Sequence, residues 1–386
     1  MNGVLVKVSE IWLKGKNRKS FIEQLITNIS SVTGIDRSKI KLVRSRIYIN
    51  DQNVRDLDKV FGIHSFVPTI TLDDDIEKIK KVAVRLMHEK KGDARTFAIC
   101  SRKEHGYPLS TTQINEVVGQ AVNDASGGID VDLDNPDITI NVEIRDKKVF
   151  IYTSKDEIRG QGGLPVGMTG TGLALLSGGI DSPVGAWIGM KRGLSVDGVY
   201  FHSAPYTSRK ALEKVIDHCR VLSRWNGKEM KLYSPSFGEI QKCITDTAPE
   251  QYWTILFRRS MRRIAEMIAR HQKYQLLISG DNLAQVASQT AENLAVSDKG
   301  MDFLMIRPVI GYDKQEIIDK AHIIGTYHIS IQPFVDCCNV FTPRKPKTKS
   351  RIGDIERIEK RLQLQDLEKN SFEQREQYMI SSGKVT

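Results

Sequence analysis

Leu173-Ala-Leu-Leu-Ser-Gly-Gly-Ile-Asp-Ser182 sets the architecture expected of this chain. Four apolar residues in a row suit a strand buried on both faces of a parallel sheet. Small residues then make a turn, and Pro183 is well placed in the first turn of a helix predicted over Pro183–Arg192, with Val184, Trp187, Ile188 and Met190 as its apolar positions. Ser177, Gly178 and Gly179 leave backbone N–H groups uncovered. With the Ser177 and Ser182 hydroxyls and the helix N-terminus, these make an anion cradle of about pyrophosphate size. The competing reading is a plain Gly-Gly turn in an ordinary α/β domain. Gly-x-x-x-x-Gly-Lys-Ser/Thr occurs nowhere in the chain, so the cradle is not a Walker A loop.

Upstream, Gly160-Gln-Gly-Gly-Leu-Pro-Val-Gly-Met-Thr-Gly170 reads as a boundary, because its glycines and proline leave no periodic segment to fold. Downstream, the chain alternates strand and helix in the manner of a doubly wound parallel sheet. Strands are predicted at Leu173–Leu176, Ser195–Phe201, Glu229–Tyr233 and Leu276–Gly280, with a helix over Ala211–Asn226. A long helix over Gln251–His271 turns Leu256, Met261, Ile264, Ala265 and Ile268 to the sheet and carries Arg258, Arg259, Arg262 and Arg263 around the remaining circumference. That face is either solvated or in contact with phosphate, and the density of arginine favours phosphate.

Open parallel sheets bind ligands beyond the C-terminal ends of their strands. Tyr200-Phe-His202 stands at the end of the second strand, and Ser279-Gly-Asp-Asn-Leu-Ala-Gln-Val-Ala-Ser-Gln289 at the end of the fourth. The latter is rich in small residues and amides, as a nucleotide pocket would be. Lys314 opens a further helix. Cys337-Cys338 falls in the loop Pro333–Pro343, followed by a basic strip to Arg351 that would favour a thiolate. Packing alone is the competing reading; a zinc site lacks a Cys-x-x-Cys and a second cysteine pair. Cys100, Cys219 and Cys243 read as buried packing cysteines. Ile352–Met379, highly charged with sparse apolar residues, is predicted as a helix along one edge, with a solvated tail as the other reading.

In the N-terminal half, Val4–Val8 reads as a strand, a basic loop follows to Lys19, and Phe21, Ile22, Leu25, Ile26 and Ile29 recur at helical spacing. A strand over Ile40–Asn50, a short helix around Val54–Phe61 and a strand Phe66–Leu72 complete a small α+β unit of ferredoxin type. Lys14, Lys16, Arg18 and Lys19 surround Trp12, which is either a solvated loop or an RNA contact. A second unit starts near Asp73–Asp75, which cap a helix over Ile76–Glu89. It continues through a strand Thr96–Ser101 with Arg102, Lys103 and His105 clustered after it, a helix Gln113–Asn123 capped by Ser110 or Thr111, and two strands, Ile138–Arg145 and Val149–Thr153.

At 386 residues, two or three domains are expected. Hydrophobic content of 40% and charged content of 27% are those of a soluble globular protein. No apolar run approaches the roughly 18 residues of a membrane span and the N-terminus lacks a signal-peptide core, which predicts no membrane association. Five cysteines, an odd number spread thinly, favour a reducing cytoplasm over a disulfide framework. The net charge of +10 favours a polyanionic partner over a basic surface kept for solubility alone.

Ser177-Gly-Gly-Ile-Asp-Ser182 resembles the PP-loop of ATP pyrophosphatases, and the order of elements over 73–160 resembles a THUMP domain. Together with Glu10-Ile-Trp-Leu-Lys-Gly-Lys-Asn-Arg18, Gly162-Gly-Leu-Pro-Val-Gly167 and Gly280–Gln289, they identify the chain as similar, along nearly its whole length, to the tRNA 4-thiouridine synthetase family. The resemblance implies an α/β and α+β multidomain fold: an N-terminal ferredoxin-like domain (1–72), a THUMP RNA-binding domain (73–160), a Gly-rich linker (161–171) and a doubly wound PP-loop ATP pyrophosphatase domain with a C-terminal helix (172–386). It implies ATP and Mg²⁺ as cofactors and an ATP-dependent transfer of sulfur to uridine 8 of tRNA. ATP contacts fall at Leu175, Leu176, Ser177, Gly178, Gly179, Ser182, Tyr200, Phe201, Arg258, Gly280 and Gln289. The essential aspartate and lysine fall at Asp181 and Lys314. RNA contacts are expected at Lys14, Lys16, Arg18, Arg102, Lys103, Arg259 and Arg262. Cys338-Asn-Val fits the sulfur-handling cysteine, with Cys337 as its alternative or partner. A cysteine desulfurase as persulfide donor and a homodimer are implied as well. Some members add a C-terminal rhodanese domain, to which the family's thiamine role is tied; this chain resembles the short form. A small-molecule ATP pyrophosphatase and a tRNA-binding protein with an inert nucleotide fold are the other readings.

Overall fold

Alternating apolar residues build the first sheet. The computed structural model describes residues 2–104, 106–127, 129–334 and 337–381, and the chain divides into two units, Met1–Pro165 and Val166–Thr386. In the first unit the strands are β1 (Asn2–Val8), β2 (Ile40–Val43), β3 (Arg46–Ile49), β4 (Ile63–Asp73), β5 (Thr96–Lys103), β6 (Asp130–Val131), β7 (Ile138–Arg145), β8 (Lys148–Thr153) and β9 (Ile158–Arg159). They form one sheet in the order β2-β3-β1-β4-β8-β7-β5-β6, with β9 on β4. Continuity comes from the length of β4. Its residues Ile63–Ile70 pair with β1 and Ile70–Asp73 with β8.

Three helices accompany this sheet: α1 (Arg18–Thr33), α2 (Ile76–Lys90) and α3 (Thr111–Ser126). Asp75 caps α2 by accepting from the N–H groups of Glu77 and Lys78, and Ser110 forms a capping box with Gln113 at α3. Ile79, Met87, Phe97, Ile114, Val118, Ile140 and Val142 make the core that α2 and α3 share with β5 and β7. A second cluster of Leu5, Tyr48, Val67, Phe150 and Tyr152 draws on β1, β3, β4 and β8.

Several expectations for this unit need correction. The single strand over Ile40–Asn50 is a hairpin, β2 and β3 paired antiparallel around a turn where Arg44 takes a φ of 55°. The basic stretch after β1 is ordered as a 3₁₀ turn over Glu10–Asn17 rather than an open loop, and Val54–Phe61 shortens to a 3₁₀ turn at Leu57–Lys59. The Gly-rich stretch begins on β4: the Gly160 and Gly162 N–H groups donate to the carbonyls of His64 and Ile63.

In the second unit the elements run β10 (Thr171–Leu175), α4 (Asp181–Lys191), β11 (Ser195–Val199), α5 (Arg209–Asn226), β12 (Met230–Ser234), α6 (Gly238–Thr247), α7 (Trp253–Gln272), β13 (Leu276–Ile278), α8 (Ala291–Asp298), β14 (Met305–Ile306), α9 (Lys314–Ile324), α10 (Tyr327–Ser330), α11 (Cys337–Val340), α12 (Ile352–Leu362), α13 (Gln365–Glu373) and β15 (Glu376–Ile380). The sheet order is β14-β13-β10-β11-β12-β15, parallel except for β15. The chain leaves β10 for β11 and β12, then returns to β13 on the other side of β10. The turn after β10 is therefore the topological switch point, where such sheets bind ligands.

Leu173 and Ala174 are buried between these neighbours, as the apolar run predicts. The stripe of α7 packs as read, with Leu256, Ile264, Ala265 and Ile268 at or near zero exposure. The C-terminal segment differs from its prediction. It breaks into α12 and α13 and ends in β15, which adds antiparallel to β12. Cys337-Cys338 lies in the short helix α11 rather than in a loop.

Candidate active site

The site grows from the switch-point turn. Leu176 makes the last bond across the sheet, its N–H donating to the Val199 carbonyl at 2.9 Å, and α4 starts at Asp181 without a side-chain cap. The first N–H groups of α4 are thus left to the solvent side or to a ligand. The two serines clasp the turn: the Ser177 N–H donates to Ser182 Oγ at 2.8 Å and the two hydroxyl oxygens lie 3.0 Å apart. The Gly179 N–H reaches Ser177 Oγ at 3.3 Å. Gly280, at the end of β13, comes so close that a Cβ there would stand 2.6 Å from the Ser182 nitrogen. Only glycine lets β13 pass under the loop.

A cavity of about 320 Å³ opens at this point. From β10 and the loop it takes Leu175, Leu176, Ser177, Gly179, Asp181 and Ser182, and from the end of β11 Tyr200 and Phe201. Arg258 from α7, with Gly280 and Gln289, completes the expected set, and Gly178 lies in the same turn. Cys337 also lines the cavity and is 6% exposed; its carbonyl accepts from buried Gln241 Nε2 at 2.8 Å. Cys338 shares that helix, but its side chain falls outside the described residues, as does His105.

Sequence reasoning missed the ion pairs that hold the cavity floor. Asp281 receives Arg258 at 2.6 Å and Arg307 at 3.1 Å, and Arg307 also reaches Asp298 at 2.7 Å. Burial pushes the Asp281 carboxyl up, but Arg258 and then Arg307 outweigh it and hold the group at about 2. The signal was present in Ser279–Gln289, as a carboxylate directly after a strand end. What remained hidden was the partner, 23 residues away on another helix. Arg258 Nε, Gln289 Oε1 and Ser297 Oγ are buried and find no hydrogen-bond partner among the described residues. A cavity lined by unmet donors and acceptors is built for a polar ligand.

At the mouth, Lys314 Nζ donates to Asp181 Oδ1 at 2.6 Å and Gln285 Nε2 to Oδ2 at 2.9 Å. Lys314, the first residue of α9, is thus brought from 133 positions away onto the loop carboxylate. Among the described residues no group of three or more His, Cys, Asp or Glu is arranged to hold a metal.

Two expected RNA contacts are corrected. Arg259 is 5% exposed, doubly bonded to Glu359 and donating to the carbonyls of Val296 and Lys299. Arg262 is equally buried, paired with Asp298 and donating to the Phe303 carbonyl. These arginines tie α7 to α8 and α12, and no face of either guanidinium is left for RNA. Arg263 likewise pairs with Glu359 and Glu368. In the first unit Lys16, Arg18 and Arg102 are exposed, while Lys14 and Lys103 are half-buried. Arg18 lies over the Trp12 ring, 5.1 Å from its centre.

Residues 167–364 match the family described as thiamine biosynthesis protein (ThiI), 73–154 match the THUMP domain and 3–67 the ThiI ferredoxin-like domain. A probable tRNA sulfurtransferase of Coxiella burnetii is 40% identical over 98% of this chain and 99% of its own. One of Caldanaerobacter subterraneus subsp. tengcongensis is 42% identical over 94% and 96%. The crystal structure of a 4-thiouridine synthetase–RNA complex with bound ATP is 39% identical, with a TM-score of 0.90, over 98% of this chain and 100% of that one. The chain is a member of the ThiI family, built of ferredoxin-like, THUMP and PP-loop domains.

Proposed function

We propose that the chain is an ATP-dependent tRNA sulfurtransferase that converts a uridine, at position 8, to 4-thiouridine. What carries the reading is the single cavity that joins the Ser177–Ser182 cradle to buried, unmet polar groups, with the Asp181–Lys314 pair at its mouth and Cys337 on its wall. Residues 1–72 and 73–160 capture the tRNA, 161–171 connect, and 172–386 carry the chemistry. A homodimer would let one subunit position RNA for the other's site.

ATP lies with its phosphates on the loop and its base toward Tyr200 and Phe201. The uridine O4 attacks the α-phosphorus; an O4–P bond forms, the bond to the β-phosphate oxygen breaks, and pyrophosphate leaves. A persulfide sulfur then adds to C4, and AMP departs with the former O4. A second thiol cleaves the S–S bond left on the base, leaving a disulfide that an external thiol reductant reopens. Cys338 is the residue assigned to carry sulfur, with Cys337 as the second thiol and a cysteine desulfurase as donor.

Lys314 and Arg258 steady the charge that grows around the α-phosphate. Mg²⁺ fits a site that offers one carboxylate and depends on substrate phosphates for its other ligands. Asp181 would hold it, and the ion would neutralise phosphate charge. The test is release of AMP and pyrophosphate from ATP. The expected result is release that depends on tRNA; release of both without tRNA would favour a small-molecule pyrophosphatase instead, and no ATP consumption an inert nucleotide fold.

A further inference from the structure

Behind the phosphate loop sits a histidine that none of this chemistry uses. His218 belongs to the inward face of α5, between Val215, Cys219 and Leu222, and is wholly buried. Its Nε2 lies 3.5 Å from Ser330 Oγ, the Gly178 backbone is within the ring's reach, and the buried Nδ1 finds no hydrogen-bond partner among the described residues. The Gly178 backbone favours the protonated ring, so it is the carbonyl that faces the ring, on the Nε2 side. Ser330, the last residue of α10, shares its hydroxyl hydrogen between the Gly179 carbonyl at 3.3 Å and the Thr326 carbonyl at 3.0 Å.

We propose that His218, with Ser330, is a positioning residue for the phosphate loop, pinning two successive carbonyls so that the following N–H groups face the cavity. A trans peptide points its C=O and N–H in opposite directions. Holding the Gly178 carbonyl against α5 therefore turns the Gly179 N–H to the cavity side of the loop, where Ser177 Oγ accepts it at 3.3 Å and a phosphate oxygen would compete for it. Holding the Gly179 carbonyl against α10 does the same for the Ile180 N–H. With no Cβ on either residue, the Gly178–Gly179 peptide would otherwise rotate at little cost and aim an oxygen at the phosphates. Burial pushes the ring down to about 4, so the donor carries no charge at neutral pH.

The proposal rests on the ATP reading, and its test keeps the two apart. Affinities of full-length wild type, His218→Leu, His218→Gln and Ser330→Ala are measured by calorimetry for a non-hydrolysable ATP analogue and for inorganic pyrophosphate, with steady-state KM and kcat alongside. If the untied loop is competent about a tenth of the time, His218→Leu weakens both ligands about tenfold. KM for ATP rises accordingly, while kcat at saturating ATP and tRNA affinity hold. His218→Gln, which places an amide N–H near the lost Nε2, recovers to within about threefold, and Ser330→Ala weakens binding in the same direction. Wild-type affinity in His218→Leu overturns the proposal, as does equal impairment of the Leu and Gln variants, the mark of a packing role. Should His218→Leu not fold, wild-type affinity of Ser330→Ala for both ligands overturns it equally. A wild type that takes pyrophosphate and refuses ATP overturns the nucleotide reading alone.

Discussion

Asp281→Asn keeps the shape of the cavity floor and removes its charge. The wild-type carboxyl is held at about 2 against an ordinary 3.8, and at 1.36 kcal/mol per pH unit this is worth about 2.5 kcal/mol. The folded value lies below the unfolded one, so the contribution is complete above about pH 4 and is lost as pH falls toward 2. In the variant, Arg258 and Arg307 face an amide, though Arg307 keeps Asp298. The cost should therefore fall near or below the low end of the roughly 3–5 kcal/mol for breaking a buried pair. Urea unfolding followed by tryptophan fluorescence suits the measurement, because Trp187, Trp225 and Trp253 all lie in the second unit. The expectation is a loss of about 2–3 kcal/mol at pH 7 that closes as the pH approaches 2, together with a raised KM for ATP from a less restrained Arg258. A loss under about 0.5 kcal/mol at pH 7, or one that does not change with pH, would show that the Asp281 charge does not hold the floor.

Asp181→Ala and Lys314→Met should each lower thiolation by about a hundredfold or more while thermal melting and tRNA binding stay near wild type; near-normal rates in single-turnover assays would remove that residue from the mechanism. The triple change Lys14→Ala, Lys16→Ala, Arg18→Ala should weaken tRNA binding and flatten its dependence on salt by up to about one unit of log–log slope for each phosphate no longer neutralised, as read by filter binding at several salt concentrations. Arg259→Ala should cost about 2 kcal/mol of stability through the unmet carbonyls of Val296 and Lys299, since Glu359 keeps Arg263, and leave tRNA affinity per folded molecule unchanged; weakened binding without destabilisation would return this residue to the RNA surface. With a persulfide-generating desulfurase, Cys338→Ser should stop thiolation; activity in Cys338→Ser and none in Cys337→Ser would move the role one residue back.

The phosphate loop was legible because its chemistry is local: an apolar run, two glycines and two serines within ten residues specify strand, turn and helix start. Arg259, Arg262 and Arg263 of α7 were misread because what neutralises them is distant, whereas Arg258 lines the cavity as expected. Glu359 and Glu368 lie about a hundred residues further on, and nothing in a one-dimensional pattern separates a basic face from a row of buried ion pairs. His218 was invisible for the same reason, being one polar residue in an apolar stripe whose partners come from the loop and from α10. The β2–β3 hairpin was read as one strand because both arms are rich in apolar residues and Arg44-Ser45 has no Gly, Asn or Pro to mark the turn, although the alternation changes phase between Leu42 and Ile47. The terminal strand β15 hid in a charged segment because an edge strand needs only one partner and little apolar character. Sequence also showed two small N-terminal units without the single sheet that β4 makes of them.

Whether the chain thiolates tRNA at the expense of ATP can be read by mass analysis of nucleosides from unmodified tRNA incubated with the protein, ATP, Mg²⁺ and a persulfide source. One 4-thiouridine per tRNA is expected, absent when ATP is omitted or when uridine 8 is replaced by cytidine. Full thiolation without ATP, or none in the complete mixture, would contradict the proposed function.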